Sequence, residues 1–249
     1  DAAGKIIIPG IIDIETHIRE PGYTYKEDFT TATMAGAAGG VTLPVAQPNI
    51  RPTPDTATRF EEIKKIGESK SVTDFSIIAN PKVLDEVNGI AEVGAPGFKI
   101  FMDHSRCDYP HPKECFVGDD GEMLEIFDAV AKTGLFCGPH PGNPQIAELY
   151  QEKCIAEGLN SPEARKKYMT RAGRIGWITG VSKVIQLAKE AGSRLHFWHI
   201  DAGRGDYLIR RAKAEGQKVT CHTGVGGKFP FKPDREKNPM GALLAAMYM

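Results

Sequence analysis

The order of apolar segments along the 249-residue chain is the feature that most restricts its fold. Short apolar runs of strand length alternate with longer segments in which apolar residues recur at helical spacing. The strand candidates are Gly10–Ile18, Gly40–Ala46, Asp74–Ala79, Gly97–Met102, Leu135–Gly138, Arg194–Ile200 and Lys218–Cys221. Strands that alternate with helices predict βαβ units and a mainly parallel sheet.

Helical patterns fill the intervals between these strands. They cover Phe29–Ala38, Thr56–Ile66, Pro81–Val93, Glu122–Lys132, Pro144–Glu157, Ser161–Tyr168, Ile175–Ala191 and Gly205–Glu215, and a short final helix, Gly241–Tyr248, follows a proline-rich loop. Seven strand–helix units predict an α/β fold of the TIM-like (β/α)8 barrel type without its eighth unit. A doubly wound open sheet is the alternative, but the Gly-x-Gly-x-x-Gly pattern that often follows its first strand is absent here.

Charge and composition exclude several classes of function. The net charge is −1, so bulk charge predicts neither a nucleic acid nor an acidic membrane as partner. No apolar run approaches the ~20 residues that cross a bilayer. The chain opens on polar and small residues rather than a signal peptide. The five cysteines include no Cys-x-x-Cys pair, which argues against a disulfide framework or a cysteine-rich zinc site. These features predict a cytoplasmic protein.

Chemistry-bearing residues occur where the predicted strands end, which is where parallel barrels build their active sites. The first strand ends with Asp13-Ile-Glu15-Thr-His17, and alternation directs Glu15 and His17 to the same side. A lysine, Lys99, stands in the otherwise apolar fourth strand. Histidines end three later strands: His140, His199 and His222. Histidines and a carboxylate at several strand ends predict a metal site with nitrogen and oxygen ligands.

Each of these residues also has an ordinary structural interpretation. His196 lies three residues before His199, so we expect it to face the other side of the strand in a structural role. For His222, a polar strand-end role is slightly favoured over a role as a replacement ligand. His104 and His111 lie in a polar loop and are interpreted as solvated. The metal interpretation therefore depends on the joint occurrence of the other residues on successive strands.

Several segments together resemble the dihydroorotase and hydantoinase branch of the cyclic amidohydrolases. They are residues 1–13, His17-Ile-Arg-Glu-Pro-Gly-Tyr-Thr-Tyr-Lys-Glu-Asp-Phe29, Ala37-Ala-Gly-Gly-Val-Thr42, Gln47-Pro-Asn49, Gly97-Phe-Lys-Ile-Phe-Met102, His140-Pro-Gly-Asn143 and Phe197-Trp-His199. The resemblance extends to about residue 222. It implies that residues 1–9 are the end of a small β domain and that residues 10–249 form the barrel.

The resemblance also implies a mechanism and a set of site residues. A carbamate formed on Lys99 from carbon dioxide would bridge two divalent metals, usually zinc, while His140, His199 and His17 supply further ligands. Metals of this kind polarise a carbonyl and lower the pKa of water. Arg19 and Asn49 match residues that bind the substrate carboxylate in dihydroorotases, and the planar guanidinium of arginine suits that task. The substrate is a small cyclic amide, and relatives are often dimers or tetramers.

Two departures from the family pattern concern the metal ligands and the general base. Glu15 stands where the family has the first histidine of Asp-x-His-x-His; it either ligates metal as a carboxylate or removes one of the two metal positions. The family's general base is an aspartate in a Thr-Asp-His-Ala-like motif at strand eight, and no such motif precedes Met249. The chain is accordingly expected to be a fragment or a diverged relative, with strand eight and the small β domain missing.

Three hypotheses follow for the function. The first is hydrolysis of dihydroorotate to N-carbamoyl-aspartate, favoured by Arg19 and Asn49. Its enzymatic alternatives are hydantoinase, dihydropyrimidinase and allantoinase, whose substrates need not present a carboxylate. The second hypothesis, from another class, is a catalytically inactive assembly subunit; Glu15 and the missing strand-eight aspartate favour it, while the retained Lys99, His140, His199 and Arg19 favour an enzyme. The third is a metal enzyme with changed chemistry on the same barrel, since fold does not fix function.

Overall fold

All the predicted strands are present in the computed structural model, which describes residues 3–102, 113–200 and 205–222. They are β1 (Ile11–Thr16), β2 (Val41–Ala46), β3 (Ser76–Ile77), β4 (Gly97–Phe101), β5 (Phe136–His140), β6 (Arg194–Phe197) and β7 (Val219–Cys221). The predicted final helix, the proline-rich loop, His104 and His111 lie outside the described residues.

Helices separate the strands, as the periodicity predicts. They are α1 (Phe29–Ala38), α2 (Ala57–Lys70), α3 (Val87–Glu92), α4 (Asp120–Thr133), α5 (Pro144–Ala156), α6 (Pro162–Ala191) and α7 (Asp206–Ala214), with 3-10 turns at Leu84–Glu86 and Lys113–Cys115. None of the helices in the described part of the chain is both long and apolar enough to span a bilayer.

The strands pair in parallel and in chain order. β1, β2 and β3 form one sheet, and β4, β5, β6 and β7 form the other. A parallel bridge between Ala79 and Phe98 joins the two, with the Ala79 amide donating to the Gly97 carbonyl at 3.1 Å. A doubly wound sheet reverses its strand order at a switch point, whereas a barrel does not. The unbroken order therefore confirms the TIM-like barrel architecture over seven strands.

Strand alternation divides the side chains between two environments. Phe98, Ile100 and Phe197 are fully buried between the strands and the surrounding helices, where they join the main apolar core. The residues that alternate with them, such as Lys99 and Trp198, point instead to the barrel interior, where Trp198 packs with Val45. The interior thus combines a small apolar cluster with polar side chains nearer the strand ends.

Helix α6 corrects the prediction of two separate helices at Ser161–Tyr168 and Ile175–Ala191. It is one helix of 30 residues, capped by the Ser161 side chain, which accepts from the Ala164 amide, and ended by Gly192 in the left-handed conformation. A glycine inside a helix costs only about 1 kcal/mol relative to alanine, so Gly173 does not interrupt it. Packing against α4 and α5 compensates for that cost.

Several strand bounds also differ from the predicted ones. β5 continues two residues beyond the predicted end, to His140, while β3 is shorter than predicted. β6 ends at Phe197 rather than Ile200, because the backbone turns at His199, which has a positive φ of 55°. This last difference changes which side chains face the barrel interior.

Candidate metal centre

Glu15 lies at the centre of a polar cluster near the carboxyl ends of the strands. Its Oε1 atom is 3.2 Å from Nζ of Lys99 and also contacts Nε2 of His199. Its Oε2 atom is 2.6 Å from Nε2 of His222. Three different strands or strand ends therefore converge on one carboxylate that comes from β1. The barrel brings these groups together across more than 200 residues of sequence, since Glu15 and His222 are 207 positions apart.

Lys99 is fully buried, with no exposed side-chain surface. Its Nζ atom lies 4.4 Å from the centre of the Trp198 ring and 4.9 Å from that of Phe101. Its carbonyl accepts a hydrogen bond of 3.2 Å from Nδ2 of Asn80 on the neighbouring strand segment. A buried cation requires a partner, and Glu15 together with the two aromatic faces supplies it. A lysine that extends its amino group to solvent at a strand end would show exposed side-chain surface, and Lys99 shows none.

His199 and His140 lie side by side at the ends of β6 and β5. Their rings are 4.9 Å apart and almost perpendicular, and Trp177 of α6 packs against His140 at 5.4 Å. The left-handed backbone at His199 is uncommon for a residue other than glycine. Such conformations are held in place by surrounding structure and concentrate at functional sites. Here the turn carries the imidazole to the Glu15 carboxylate.

His17, Arg19 and Asn49 form a group beside Glu15. Nδ1 of His17 is 2.9 Å from Oδ1 of Asn49, and Nη1 of Arg19 donates to the Asn49 carbonyl at 3.2 Å. Because the amide oxygen accepts, this contact places the His17 proton on Nδ1 and leaves Nε2 with a free electron pair. Arg19 and Asn49 are both buried, at 7% and 0% exposure. Arg19 is therefore a buried residue of this group rather than a surface charge.

The electrostatics of the cluster lower the pKa of Glu15 and the pKa values of His17 and His199, so that Glu15 stays charged and these two imidazoles stay neutral. Burial raises the pKa of Glu15, but the hydrogen bond with His222 and the charge of Lys99 outweigh it and lower the pKa to about 2. Burial and the charge of Lys99 lower the pKa of His17 to about 3. Burial and the neighbouring His140 lower that of His199 to about 3. A charged carboxylate and neutral imidazoles are the forms that bind a metal ion.

The donor set fits a divalent metal. One atom each from Glu15, His199 and His222 lie within 4.8 Å of one another, and all three residues are half-buried. Two imidazoles and one carboxylate are a donor set that proteins use for catalytic zinc, with further positions open. His17, His140 and Lys99 adjoin this triad without belonging to it. The structure thus brings together the predicted ligands and adds His222, whose role the sequence left open.

His196 contradicts the prediction that it faces away from the site. Its Nε2 atom is 3.1 Å from Nδ1 of His222, and its ring packs 4.7 Å from that of Trp198. The prediction counted strand alternation backwards from His199, but β6 ends at Phe197, and the left-handed turn at His199 breaks the alternation. His196 and Trp198 share the interior face instead. Counting from the apolar Leu195 and Phe197, which face the helices, would have placed them correctly.

The fold and the site together define a class: a parallel α/β barrel with a carboxylate, imidazoles and a buried lysine at the carboxyl ends of its strands. Comparison with known proteins narrows that class. A family model described as "Dihydro-orotase-like" matches residues 4–91. An allantoinase of Deinococcus radiodurans is 31% identical over 226 residues, which cover 90% of this chain and 49% of that protein.

Two further relatives are also named as enzymes that act on cyclic amides. A dihydroorotase of Methanosphaera stadtmanae is 30% identical over 213 residues, covering 86% of this chain and 46% of that protein. The structure of an L-hydantoinase (dihydropyrimidinase) from Arthrobacter aurescens superimposes with a TM-score of 0.81 at 29% identity, covering 91% of this chain and 49% of that one. The chain belongs to the cyclic amidohydrolase superfamily, and it spans about half the length of the relatives it matches.

Proposed function

We propose that the protein hydrolyses the cyclic amide bond of a small ureide or imide, with dihydroorotate, opened to N-carbamoyl-aspartate, as the leading substrate. The convergence of Lys99, His199 and His222 on the Glu15 carboxylate at the carboxyl ends of the strands carries this proposal. The relatives, which bear the names allantoinase, dihydroorotase and hydantoinase, support the same reaction class.

The residues proposed to hold one or two zinc ions are Glu15, His17, Lys99, His140 and His199. Bound there, divalent metal would polarise the scissile carbonyl and lower the pKa of a water molecule. Lys99 would act as an anionic bridging ligand after its neutral amine adds to carbon dioxide, which forms an N–C bond and releases one proton. The position of Lys99 supports this, since its Nζ atom lies beneath Trp198 and Phe101 and next to Glu15, another of the proposed ligands.

Arg19 and Asn49 are proposed to bind the substrate. Both are buried beside His17, and the contact between Arg19 and the Asn49 carbonyl holds the guanidinium in place. A guanidinium fixed in this way can pair with a carboxylate through two parallel hydrogen bonds. Arg19 would bind a substrate with a ring carboxylate, such as dihydroorotate, through that pairing. Hydantoin, dihydrouracil and allantoin have no carboxylate and would not form it.

A substrate panel assayed with full-length protein tests the proposal. The full-length protein, supplied with zinc and bicarbonate, is expected to open dihydroorotate with a higher kcat/KM than allantoin, 5,6-dihydrouracil or hydantoin. Arg19→Lys should raise KM for dihydroorotate at least tenfold and leave KM for the neutral ureides nearly unchanged, because lysine lacks the planar fork. An equal effect on charged and neutral substrates would refute the role of Arg19 and favour the hydantoinase or allantoinase alternative.

A catalytically inactive assembly subunit is the second candidate. The Glu15 contacts favour it, because Lys99 and the two histidines already satisfy both carboxylate oxygens. Full-length protein that opens none of the four substrates and retains no divalent metal would establish this candidate instead. A homo-oligomeric state is proposed on the family resemblance alone, and a cytoplasmic location is proposed on the cysteine pattern.

A further inference from the structure

A continuous chain of side-chain contacts runs from β7 to the Glu15 carboxylate. Oγ1 of Thr220 is 2.8 Å from Nδ1 of His196, Nε2 of His196 is 3.1 Å from Nδ1 of His222, and Nε2 of His222 is 2.6 Å from Oε2 of Glu15. The Thr220 hydroxyl has a second partner, since it also donates to the Leu195 carbonyl at 3.3 Å. Every ring nitrogen of the two histidines is therefore engaged.

The protons in this chain can be arranged in two ways. If Thr220 donates to the Leu195 carbonyl, Nδ1–H of His196 donates to Thr220 and Nδ1–H of His222 donates to Nε2 of His196. Nε2 of His222 then directs an electron pair towards Glu15. If Thr220 donates to His196 instead, every proton shifts by one position and Nε2–H of His222 donates to Glu15. The threonine hydroxyl permits both because it has an acceptor on either side.

Only the first arrangement gives His222 an electron pair that faces a carboxylate oxygen at 2.6 Å. Two electron pairs at that distance repel each other unless a cation lies between or beside them. The first arrangement is therefore that of a metal ligand, and the second is that of a plain hydrogen bond. Ligating histidines commonly donate their other ring N–H to a partner that fixes tautomer and orientation. His196 is placed to be that partner for His222.

We propose that His222 is a ligand of a divalent metal through Nε2, together with Glu15 and His199, and that His196 and Thr220 are positioning residues that set its tautomer. The inference deepens the proposed function, because it concerns the same metal centre. It assigns a ligand on β7 that lies outside the predicted set of Glu15, His17, Lys99, His140 and His199. In this chain Glu15 stands where the family pattern has a histidine. Glu15, His199 and His222 together still provide one carboxylate and two imidazoles, which is a donor set of catalytic zinc sites.

A purely structural role for these histidines makes a different prediction. His196 packs against Phe136 at 5.7 Å and stacks on His222 at 5.4 Å, so both rings contribute to the packing inside the barrel. If packing were their whole role, substitution would lower the stability of the metal-free protein and leave its affinity for metal unchanged. Metal affinity, measured apart from stability and activity, separates the two roles.

The test is the binding of cobalt(II), a coloured substitute for zinc, to full-length protein freed of metal by a chelator. His222→Gln is expected to weaken cobalt binding about 100-fold and to shift the visible absorption bands. His196→Gln should weaken cobalt binding about 10- to 100-fold. Thr220→Val should also weaken it, whereas Thr220→Ser, which keeps the hydroxyl, should bind cobalt with wild-type affinity. Cys221→Ala is the matched control, since its exposed side chain lies between Thr220 and His222 in sequence and outside the contact chain.

Unchanged cobalt affinity in His222→Gln would overturn the inference, whatever the substrate assays show. Conversely, a cobalt site that depends on His222 in a protein that opens no cyclic amide would leave the inference standing and refute the proposed function. The wild-type protein provides a measurement that does not depend on the folding of a variant. Zinc should protect His222 from carbethoxylation, read by mass spectrometry, and equal modification with and without zinc would also overturn the inference.

Discussion

At the scale of single residues, the barrel interior gives each side chain a role that its type alone does not imply. Glu15 would be a solvated charge on an isolated strand, but here its oxygens contact Lys99, His199 and His222. Lys99 has no exposed surface and depends on that carboxylate. Breaking a buried ion pair by removing one partner is strongly destabilising, because the other charge is left uncompensated. A substitution of Glu15 or Lys99 is therefore expected to lower the stability of the protein as well as its metal binding, and both should be measured.

Replacement of Lys99 tests its role as a ligand. Lys99→Ala is expected to reduce the zinc content of protein purified without chelator by at least half, because the proposed bridging ligand is lost. Atomic emission measures the zinc content. Lys82→Ala is the matched control, since Lys82 pairs with Glu122 of α4 rather than with Glu15. Equal zinc content in Lys99→Ala and wild-type protein, both with intact far-ultraviolet circular dichroism, would disprove the carbamate.

Gly138 tests the close packing behind the site. A Cβ atom at this position would lie 2.3 Å from Nε1 of Trp198, which donates to the Gly138 carbonyl at 2.8 Å. Gly138→Ala should therefore lower the free energy of unfolding by about 1–3 kcal/mol, the usual cost of overpacking, and change the tryptophan fluorescence. Urea denaturation provides the measurement. In a double-mutant cycle, Gly138→Ala should cost less free energy of unfolding in a Trp198→Phe background than in the wild-type protein, because phenylalanine is smaller. Equal costs in the two backgrounds would contradict the predicted clash.

At the scale of secondary-structure elements, the strands determine where the side chains of the polar cluster lie, and the turns after the strands determine where those side chains point. β6 illustrates this, because the left-handed residue His199 directs its side chain to Glu15 while alternation places His196 and Trp198 inside. Helix α6 closes the outer side of this region, where Trp177 packs on His140. The long helix is therefore part of the support for the site.

Two glycines of α6 give opposite predictions from the same substitution. A Cβ atom at Gly173 meets nothing within 4 Å, whereas one at Gly180 would lie 2.6 Å from the Gly142 carbonyl oxygen. Gly173→Ala should raise the free energy of unfolding by about 0.5–1 kcal/mol through helix propensity. Gly180→Ala should lower it, because the helix would have to move away from the loop after β5. Thermal unfolding of both variants decides this, and a shift in the same direction for both would contradict the described packing.

At the scale of the whole molecule, the cysteines of the described residues differ in burial. Cys115, Cys137 and Cys154 are buried, whereas Cys221 is exposed. Burial raises the pKa of the Cys115 thiol to about 12 and also raises the pKa of the Cys137 thiol. A thiol with a raised pKa remains protonated at pH 8, and the protonated form is unreactive. Reactivity therefore reports whether the core is closed.

Ellman's reagent can read this difference in a Cys107→Ser background, which removes the thiol that lies outside the described residues. At pH 8 we expect one rapidly reacting thiol, removed by Cys221→Ser, and three that react only as fast as the protein unfolds. Fast reaction of two or more thiols in folded protein would show that the core is open.

Much of this architecture follows from the sequence alone, and the reason is that strand and helix periodicity are local properties. The seven strands, their parallel arrangement and the placement of Glu15, Lys99, His140 and His199 at or near strand ends depend on residues close together in the chain. The merging of two predicted helices into α6 shows the limit of local patterns, since tertiary packing outweighs one unfavourable glycine.

Only the tertiary structure decided which of these side chains meet. The approach of His222 to Glu15 joins positions 207 residues apart, and it depends on how far the strands curve around the barrel. The inward direction of His196 likewise depends on where β6 ends and on the backbone turn at His199, which no periodicity records. The sequence by itself determined the candidate ligands and the strands that carry them, because residue type and strand alternation are local properties of the chain. Barrel closure determined their partners, because a distance between remote strands is a property of the whole fold.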